Sequence, residues 1–315
     1  MTQKQMPSPS DYYQKAFSRN TGLVSPDEQE KLRQSCVAVA GLGGVGGIYL
    51  TTLARMGVGK FHIADIDRFE IANMNRQMGA STRTMGMEKV EALKLILKEI
   101  NPEVEIVCFH EGLHAGSIES FLNGADLVID AIDFFALSIH ELLHTHSRKN
   151  QKTVLFSAPL GFSGTLHVFT PDSMSFNDYF NFRPEMTYFQ KFTSFAIGLT
   201  PWGTHWSYMS LDPRALSQGT GPSICSACDI SAGLVCTEAL ICLLHRRKPR
   251  AVPEYTQFDP YRGIYRHGKM RWGNRNPLQR LKTFLLRKKF SSTLGLLTEK
   301  QILDKPLITQ GTKSA

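Results

Sequence analysis

The chain has no uninterrupted run of 18 or more apolar residues, so no membrane-spanning segment is expected. Its opening, MTQKQMPSPSDYYQK, lacks the apolar stretch of a secretory leader. Six cysteines among 315 residues, at Cys36, Cys108, Cys225, Cys228, Cys236 and Cys242, are too few and too scattered for a disulfide scaffold. No internal repeat and no extended low-complexity segment is visible. These absences exclude repeat solenoids and disulfide-stapled mini-proteins. They lead to the expectation of a reducing, cytoplasmic setting.

What is present supports a sizeable core, with 42% hydrophobic residues. The formal charge of +8 is uneven. Between His245 and Lys289 there are 14 Lys or Arg against Glu254 and Asp259, a net of +12, which leaves about −4 for the rest. Such a basic stretch suits a solvated surface, or contact with RNA or another anionic surface.

The order of elements is informative. Ser25 precedes Pro26 and stands three residues before Glu28, the pattern of a capped helix start. Strand CVAVAG runs into a glycine-rich turn and a helix from about Gly44 to Met56, then strand KFHIAD. Helix MEKVEALKLILKEI, with apolar spacing at Val90, Leu93, Leu97 and Ile100, stops at Asn101-Pro102. VEIVCFH, SIESFLNG, DLVIDAID, a further helix, TVLFSAP and TLHVFTP continue the series. Strands alternating with helices predict an α/β fold, a Rossmann-like and mainly parallel sheet flanked by helices.

The turn after the first strand places Gly41, Gly43 and Gly46 in the pattern G-x-G-x-x-G. Glycines there let phosphates approach backbone N–H groups, and the helix starting near Gly44 turns its positive end toward them. Asp65 lies 19 residues after Gly46, where an acid binds ribose hydroxyls. This much fits NAD as well as ATP. The residues that follow separate the two. Asn73, Arg76, Gln77 and Lys89 supply more cationic and polar groups than a pyrophosphate requires, and Asp133 ends the fourth strand. A triphosphate with Mg²⁺ needs converging cations and a metal carboxylate.

The ordered series GLGGVGG, DID, NMNRQ, GMEKVEA, INPEVEI and LVIDAID over residues 36–170 resembles the ubiquitin-activating-type adenylyltransferases, the ThiF/MoeB/HesA family. The resemblance implies Mg-ATP binding and adenylation of a carboxylate, on a protein C-terminus, a peptide or a small acid. It implies that Gly41, Gly43, Gly44, Gly46, Asp65, Asp67, Asn73, Arg76, Lys89 and Asp133 hold the nucleotide. Asp65 would meet the ribose, Arg76 and Lys89 the phosphates, and Asp133 the magnesium. FSRNTGL is similar to the family's N-terminal arginine segment, which implies a homodimer in which Arg19 reaches the partner subunit's triphosphate. Catalytic roles fall to Arg19, Arg76, Lys89 and Asp133, and Cys228 near a helix start is a candidate acyl-accepting thiol.

The chain also departs from that pattern. Phe134 stands where the family has asparagine after the metal acid. One C-x-x-C pair, Cys225 and Cys228, replaces the usual two, so no structural zinc is expected, with histidines such as His205 as the only way to complete a site. Eleven aromatics lie between Phe176 and Tyr208, out of 31 in the chain. They predict a packed local core, the alternative being a lid or groove for the acyl substrate. After Trp272, a helix would put Leu278, Leu281, Leu285 and Leu286 on one face among basic residues, and residues beyond Thr309 read as disordered. The expected organisation is an arm and first-helix start (1–30), a ThiF-type nucleotide-binding core (31–171), an aromatic-rich insertion or crossover segment (172–222), the C-terminal part of the core (223–272) and a basic amphipathic tail (273–315). A non-catalytic nucleotide-binding adaptor and an NAD-dependent oxidoreductase are the competing functions.

Overall fold

The computed structural model describes residues 9–296 and 298–303, so the disorder expected beyond Thr309 lies outside the described residues. Helices α1 (Pro9–Ala16) and α2 (Pro26–Gln34) lead into the sheet. The start of α2 is capped as its sequence requires. Glu28 N–H donates to Ser25 Oγ at 3.2 Å, and Ser25 N–H donates to the Glu28 carboxylate at 2.9 Å.

The alternating half follows: β1 (Cys36–Ala40), α3 (Gly46–Arg55), β2 (Lys60–Ala64), α4 (Lys89–Ile100), β3 (Glu105–Phe109), α5 (Ile118–Leu122), β4 (Leu127–Asp130), α6 (Leu137–Lys149) and β5 (Val154–Phe156). These strands are parallel, in the order β3-β2-β1-β4-β5. Every residue of β1 and β4 is buried, because helices cover both faces, and both strands therefore read as apolar runs, broken only by Asp130 at the end of β4.

The second half is antiparallel, and the sheet is mixed. The short β6 (Pro159–Leu160) and β7 (Ser163–Phe169) are followed by helices α7 (Phe176–Phe180), α8 (Tyr188–Leu199), α9 (Pro213–Ser217) and α10 (Cys225–Leu243). Then β8 (Glu254–Asp259) and β9 (Ile264–Lys269) form a hairpin, with α11 (Pro277–Leu294) and α12 (Glu299–Leu303) last. β7 pairs antiparallel with β5 and β8, and β9 closes the edge. The sequence reading did not contain this hairpin. Its signal is the turn Asp259-Pro260-Tyr261-Arg262-Gly263, in which Gly263 takes φ 63°.

Helices α3, α4 and α10 pack on one face of the sheet, and α5, α6, α7 and α8 on the other. α10 has the length and composition of a membrane span, yet half of it is buried in the protein, against α3 and β7. The aromatic insertion does not build a separate core. Phe176, Tyr179, Phe180 and Phe195 join the face that carries Phe156 and Phe169, with ring centroids 4.7–6.4 Å apart.

The tail helix differs from the expectation. Leu278, Leu281 and Leu285 of α11 are more than half exposed, as is Phe284, while Gln279, Thr283, Phe290 and Leu294 are buried. Polar anchors fix this face. Arg287 donates to Thr193 Oγ1 and to the Gln190 carbonyl at 2.9 Å each, and Lys282 donates to the Pro201 carbonyl at 2.6 Å. Charge-assisted bonds from Lys282 and Arg287 to these oxygens outweigh burial of one more leucine.

The turn between β4 and α6 is held from beneath by a buried carboxylate. Asp130 Oδ2 accepts from His140 Nδ1 at 2.7 Å and from His144 Nε2 at 2.9 Å, and Asp130 Oδ1 accepts from Ile132 N–H at 3.1 Å. Burial would raise the Asp130 pKa, but the two imidazoles more than offset it and hold the carboxyl well below its ordinary range. His140 Nε2 also stands 3.1 Å from the backbone carbonyl of Asp133, tying the network to the cleft above. Removing one partner of a buried charge costs about 3–5 kcal/mol. His140→Phe fits the ring space beside Phe156, Phe176 and Phe195 but leaves Asp130 short of a donor. Urea denaturation at pH 7 is expected to show a loss of that size, and a loss below about 1 kcal/mol would contradict the role given to His140.

His167 in β7 is fully buried among Phe156, Tyr179 and Tyr255, and burial pushes its pKa down to about 3. The unfolded chain takes up a proton below about pH 6.5, while the folded chain stays neutral there. Stability is therefore lost as the pH falls from about 6 toward 3, by on the order of 1.4 kcal/mol per pH unit from this group. The stability of His167→Phe relative to the natural protein should rise by that amount per unit between about pH 6 and pH 4, measured by denaturant titration. Parallel pH profiles would show that His167 does not titrate this way.

Candidate functional site

The cleft opens at the carboxyl ends of β1, β2 and β4, and continues under α8, α9 and α11, with a volume of about 550 Å³. Ligands bind at this end of a doubly wound sheet.

The glycine turn is shaped by close approach. Gly41 takes φ 87°, and a Cβ on it would collide with the Ala131 carbonyl. A Cβ on Gly46 would collide with the Gly41 carbonyl. The turn is thus pressed against the end of β4, and α3 starts at Gly46, two residues later than the sequence suggested. The amides of Gly43, Gly44 and Val45 have no hydrogen-bond partner among the described residues, and all three residues line the cleft. Unpaired amides at a helix start form an anion site.

Asp65, at the end of β2, accepts from Leu42 N–H at 2.6 Å and from Asp67 N–H at 2.8 Å. Burial raises its pKa, opposed by Lys89, whose ammonium lies 4.0 Å away. The carboxylate is therefore fixed at the edge of the turn, where its remaining lone pairs suit two hydroxyl donors. Lys89, at the start of α4, is buried and holds Asp67 at 2.7 Å. Arg76 lays its stem 3.8 Å from the Cβ position of Gly44 and donates to the Ala72 carbonyl and to Asn75 at 3.0 and 2.9 Å. Asn73 Oδ1 accepts from Glu70 N–H at 2.9 Å, which fixes the loop that carries Arg76. Gln77 is buried beside Gly43, with its Oε1 unpartnered.

Asp133 is solvent-exposed where it opens onto the cleft, with protein packed around the base of its carboxyl group. The resulting desolvation raises its pKa, opposed by the Phe135 N–H at 2.9 Å and by His140. It has no cationic partner within bonding distance among the described residues. An exposed carboxylate with no ion-pair partner of its own, its pKa raised by the protein packed around it and by Asp67 and lowered by the more distant Lys89, suits a hard cation such as Mg²⁺.

The structure thus brings together Gly41, Gly43, Gly44, Asp65, Asp67, Asn73, Arg76, Lys89 and Asp133 around one cleft, with Gly46 closing the turn behind them. Arg19 is exposed and is not part of this chain's own cleft. Cys228 is buried behind Gly44, its Sγ 3.3 Å from that residue's Cβ position. Burial pushes its thiol up to about 11, opposite to the activation expected at a helix start. Cys225 is exposed, and burial and Asp229 raise its thiol as well.

Sequence reasoning missed His140 and His144. Their signal was a histidine pair at i and i+4, placing both on one helix face behind the strand that ends in Asp130. His205, read only as a zinc candidate, lies in the cleft wall instead. It is buried with Nδ1 unpartnered, and burial lowers its pKa to about 4.

Comparison with known proteins agrees with this geometry. The ThiF family model matches residues 17–280. The tRNA threonylcarbamoyladenosine dehydratase of Bacillus subtilis is 40% identical over 125 residues, 39% of this chain and 49% of that protein. The sulfur carrier protein adenylyltransferase of Thermus thermophilus is 32% identical over 146 residues, 46% of this chain and 51% of that protein. The matched stretches thus span about half the length of these relatives. Escherichia coli MccB, solved with ATP, superposes with a TM-score of 0.61 at 16% identity, over 84% of this chain and 74% of that one, a likeness of fold. With the family match covering most of its length and the glycine turn, Asp65 and Asp133 gathered in one cleft, the chain belongs to the ThiF family.

Proposed function

We propose that the protein is an ATP-dependent adenylyltransferase that activates a carboxylate. The observation that carries this reading is Asp133, an exposed carboxylate with no ion-pair partner among the described residues, lining one cleft with the unpaired amides of the glycine turn. A dinucleotide needs only the amides and Asp65. A triphosphate with its metal also needs Arg76 and Asp133.

In this reading Asp65 accepts from the ribose hydroxyls, and the amides of Gly43 and Gly44 meet the phosphates. Arg76 lies over the same turn and draws charge from the leaving pyrophosphate. One oxygen of the substrate carboxylate attacks the α-phosphorus, and the bond from the α-phosphorus to its bridging oxygen breaks. The products are an acyl-adenylate and pyrophosphate. The carboxylate is already ionised at pH 7, so no general base is required. Mg²⁺, held by Asp133, would supply charge neutralisation on the phosphates. With its thiol buried and pushed up to about 11, Cys228 is a poor acceptor for the acyl group.

Arg19 is exposed and away from its own cleft, which fits the proposal of a homodimer in which it serves the partner's triphosphate. Losing one oriented electrostatic contact costs on the order of 2–4 kcal/mol of transition-state stabilisation. Arg19→Ala and Asp133→Ala are each expected to lose carboxylate-dependent pyrophosphate exchange about 10²–10³-fold while remaining folded. Mixing the two variants should restore activity in about one site in four, because random pairing in a symmetric dimer leaves half the dimers mixed and one intact site in each. No recovery, with mixed dimers verified by mass spectrometry, would exclude the trans arrangement. Full activity of Asp133→Ala would overturn the proposed function.

A further inference from the structure

The cleft does not end at Asp133. Beyond it an arm continues between the sheet and the roof formed by α8, α9 and α11, walled by Phe134, Phe192, Phe195, Leu216, Leu286 and Phe290. Every Asp, Lys and Arg side chain lining the cleft (Asp65, Asp67, Arg76, Lys89 and Asp133) stands at the glycine-turn end, and no Asp, Glu, Lys or Arg lines the arm among the described residues. The boundary is abrupt. The residue directly after Asp133 is Phe134, whose ring meets Phe135, Phe192 and Phe195 with centroids 5.3–5.4 Å apart. The aromatic insertion and the tail helix therefore supply the arm's walls, and the anchors of α11 on Thr193, Gln190 and Pro201 hold the roof down.

We propose that the carboxylate activated here carries a large apolar substituent, which occupies this arm while its carboxyl group meets the nucleotide at Asp133. The inference rests on the adenylyltransferase reading and names its substrate class. A polar or charged body would lose hydration in the arm with few partners to replace it, whereas an apolar body gains in proportion to the area it buries. A chain ending in glycine has no side chain to place there. Two sources share this chemistry, a free aliphatic acid and a peptide ending in an apolar residue.

The test uses non-hydrolysable acyl-adenylate mimics, the acylsulfamoyl adenosines, titrated calorimetrically into the full chain. The acyl groups are acetyl, hexanoyl, N-acetylglycyl and N-acetylleucyl. Hexanoyl is expected to bind at least about tenfold more tightly than acetyl, and N-acetylleucyl at least about tenfold more tightly than N-acetylglycyl. N-acetylleucyl above hexanoyl would identify the peptide source, and the reverse order the free acid. Ala196→Trp, which fills the arm from α8, should abolish the increment and leave acetyl binding unchanged. Equal affinities across the series, or an increment that survives Ala196→Trp, would overturn the inference while leaving the adenylyltransferase reading intact. Failure of all four mimics to bind would overturn that reading, and the inference with it.

Discussion

The close approach of the β1–α3 turn to the end of β4 is the constraint on which the site depends. Gly41 and Gly46 have no room for a side chain because the carbonyls of Ala131 and Gly41 occupy that space. The contact brings the unpaired amides of the turn next to the segment that ends in Asp133. Asp130 locks the same segment from below through His140 and His144, so the loop bearing Asp133 is clamped between a backbone contact and a buried hydrogen-bond network. Two carboxylates three residues apart thus have their pKa values shifted in opposite directions. Asp130 is held ionised by two imidazoles, and Asp133 has its pKa raised by the protein packed around it. Environment, not residue type, divides their roles.

The cleft is also divided in its chemistry. The half formed by the parallel strands carries the charges, and the half formed by the aromatic insertion and α11 carries the apolar wall. The first half carries the ordered motif series, GLGGVGG to LVIDAID, of the ThiF family. The second half belongs to segments outside the motif series, from α8 onward. A division of this kind lets one nucleotide-binding core serve different acids, because specificity sits on elements that can change without disturbing the phosphate contacts.

Much of the parallel half was legible in the sequence, since its signals are local. Glycines needed for close approach, a capping box at Ser25, and apolar runs in strands buried on both faces each follow from neighbouring residues. The antiparallel half was less legible. The β8–β9 hairpin is stabilised by pairing with β7, a contact between residues some ninety positions apart that leaves only a turn motif behind. The face of α11 was misread because Lys282 and Arg287 reach carbonyls and a hydroxyl on α8 and its C-terminal loop, and those partners are invisible in a helical projection. At Cys228 the local signal, a helix start, pointed to activation. Packing behind Gly44 decided the opposite.

The most direct measurement is a calorimetric comparison of Mg-ATP and NAD binding to the natural chain and to Asp65→Ala. Asp65 is fixed by two amides at the edge of the turn, so it should anchor the ribose without large effect on the fold. Mg-ATP is expected to bind, NAD to bind at least tenfold more weakly, and Asp65→Ala to weaken ATP about tenfold or more, the scale of losing a charge-assisted hydrogen bond. Tight NAD binding with none for ATP would contradict the assignment of this cleft to adenylyl transfer.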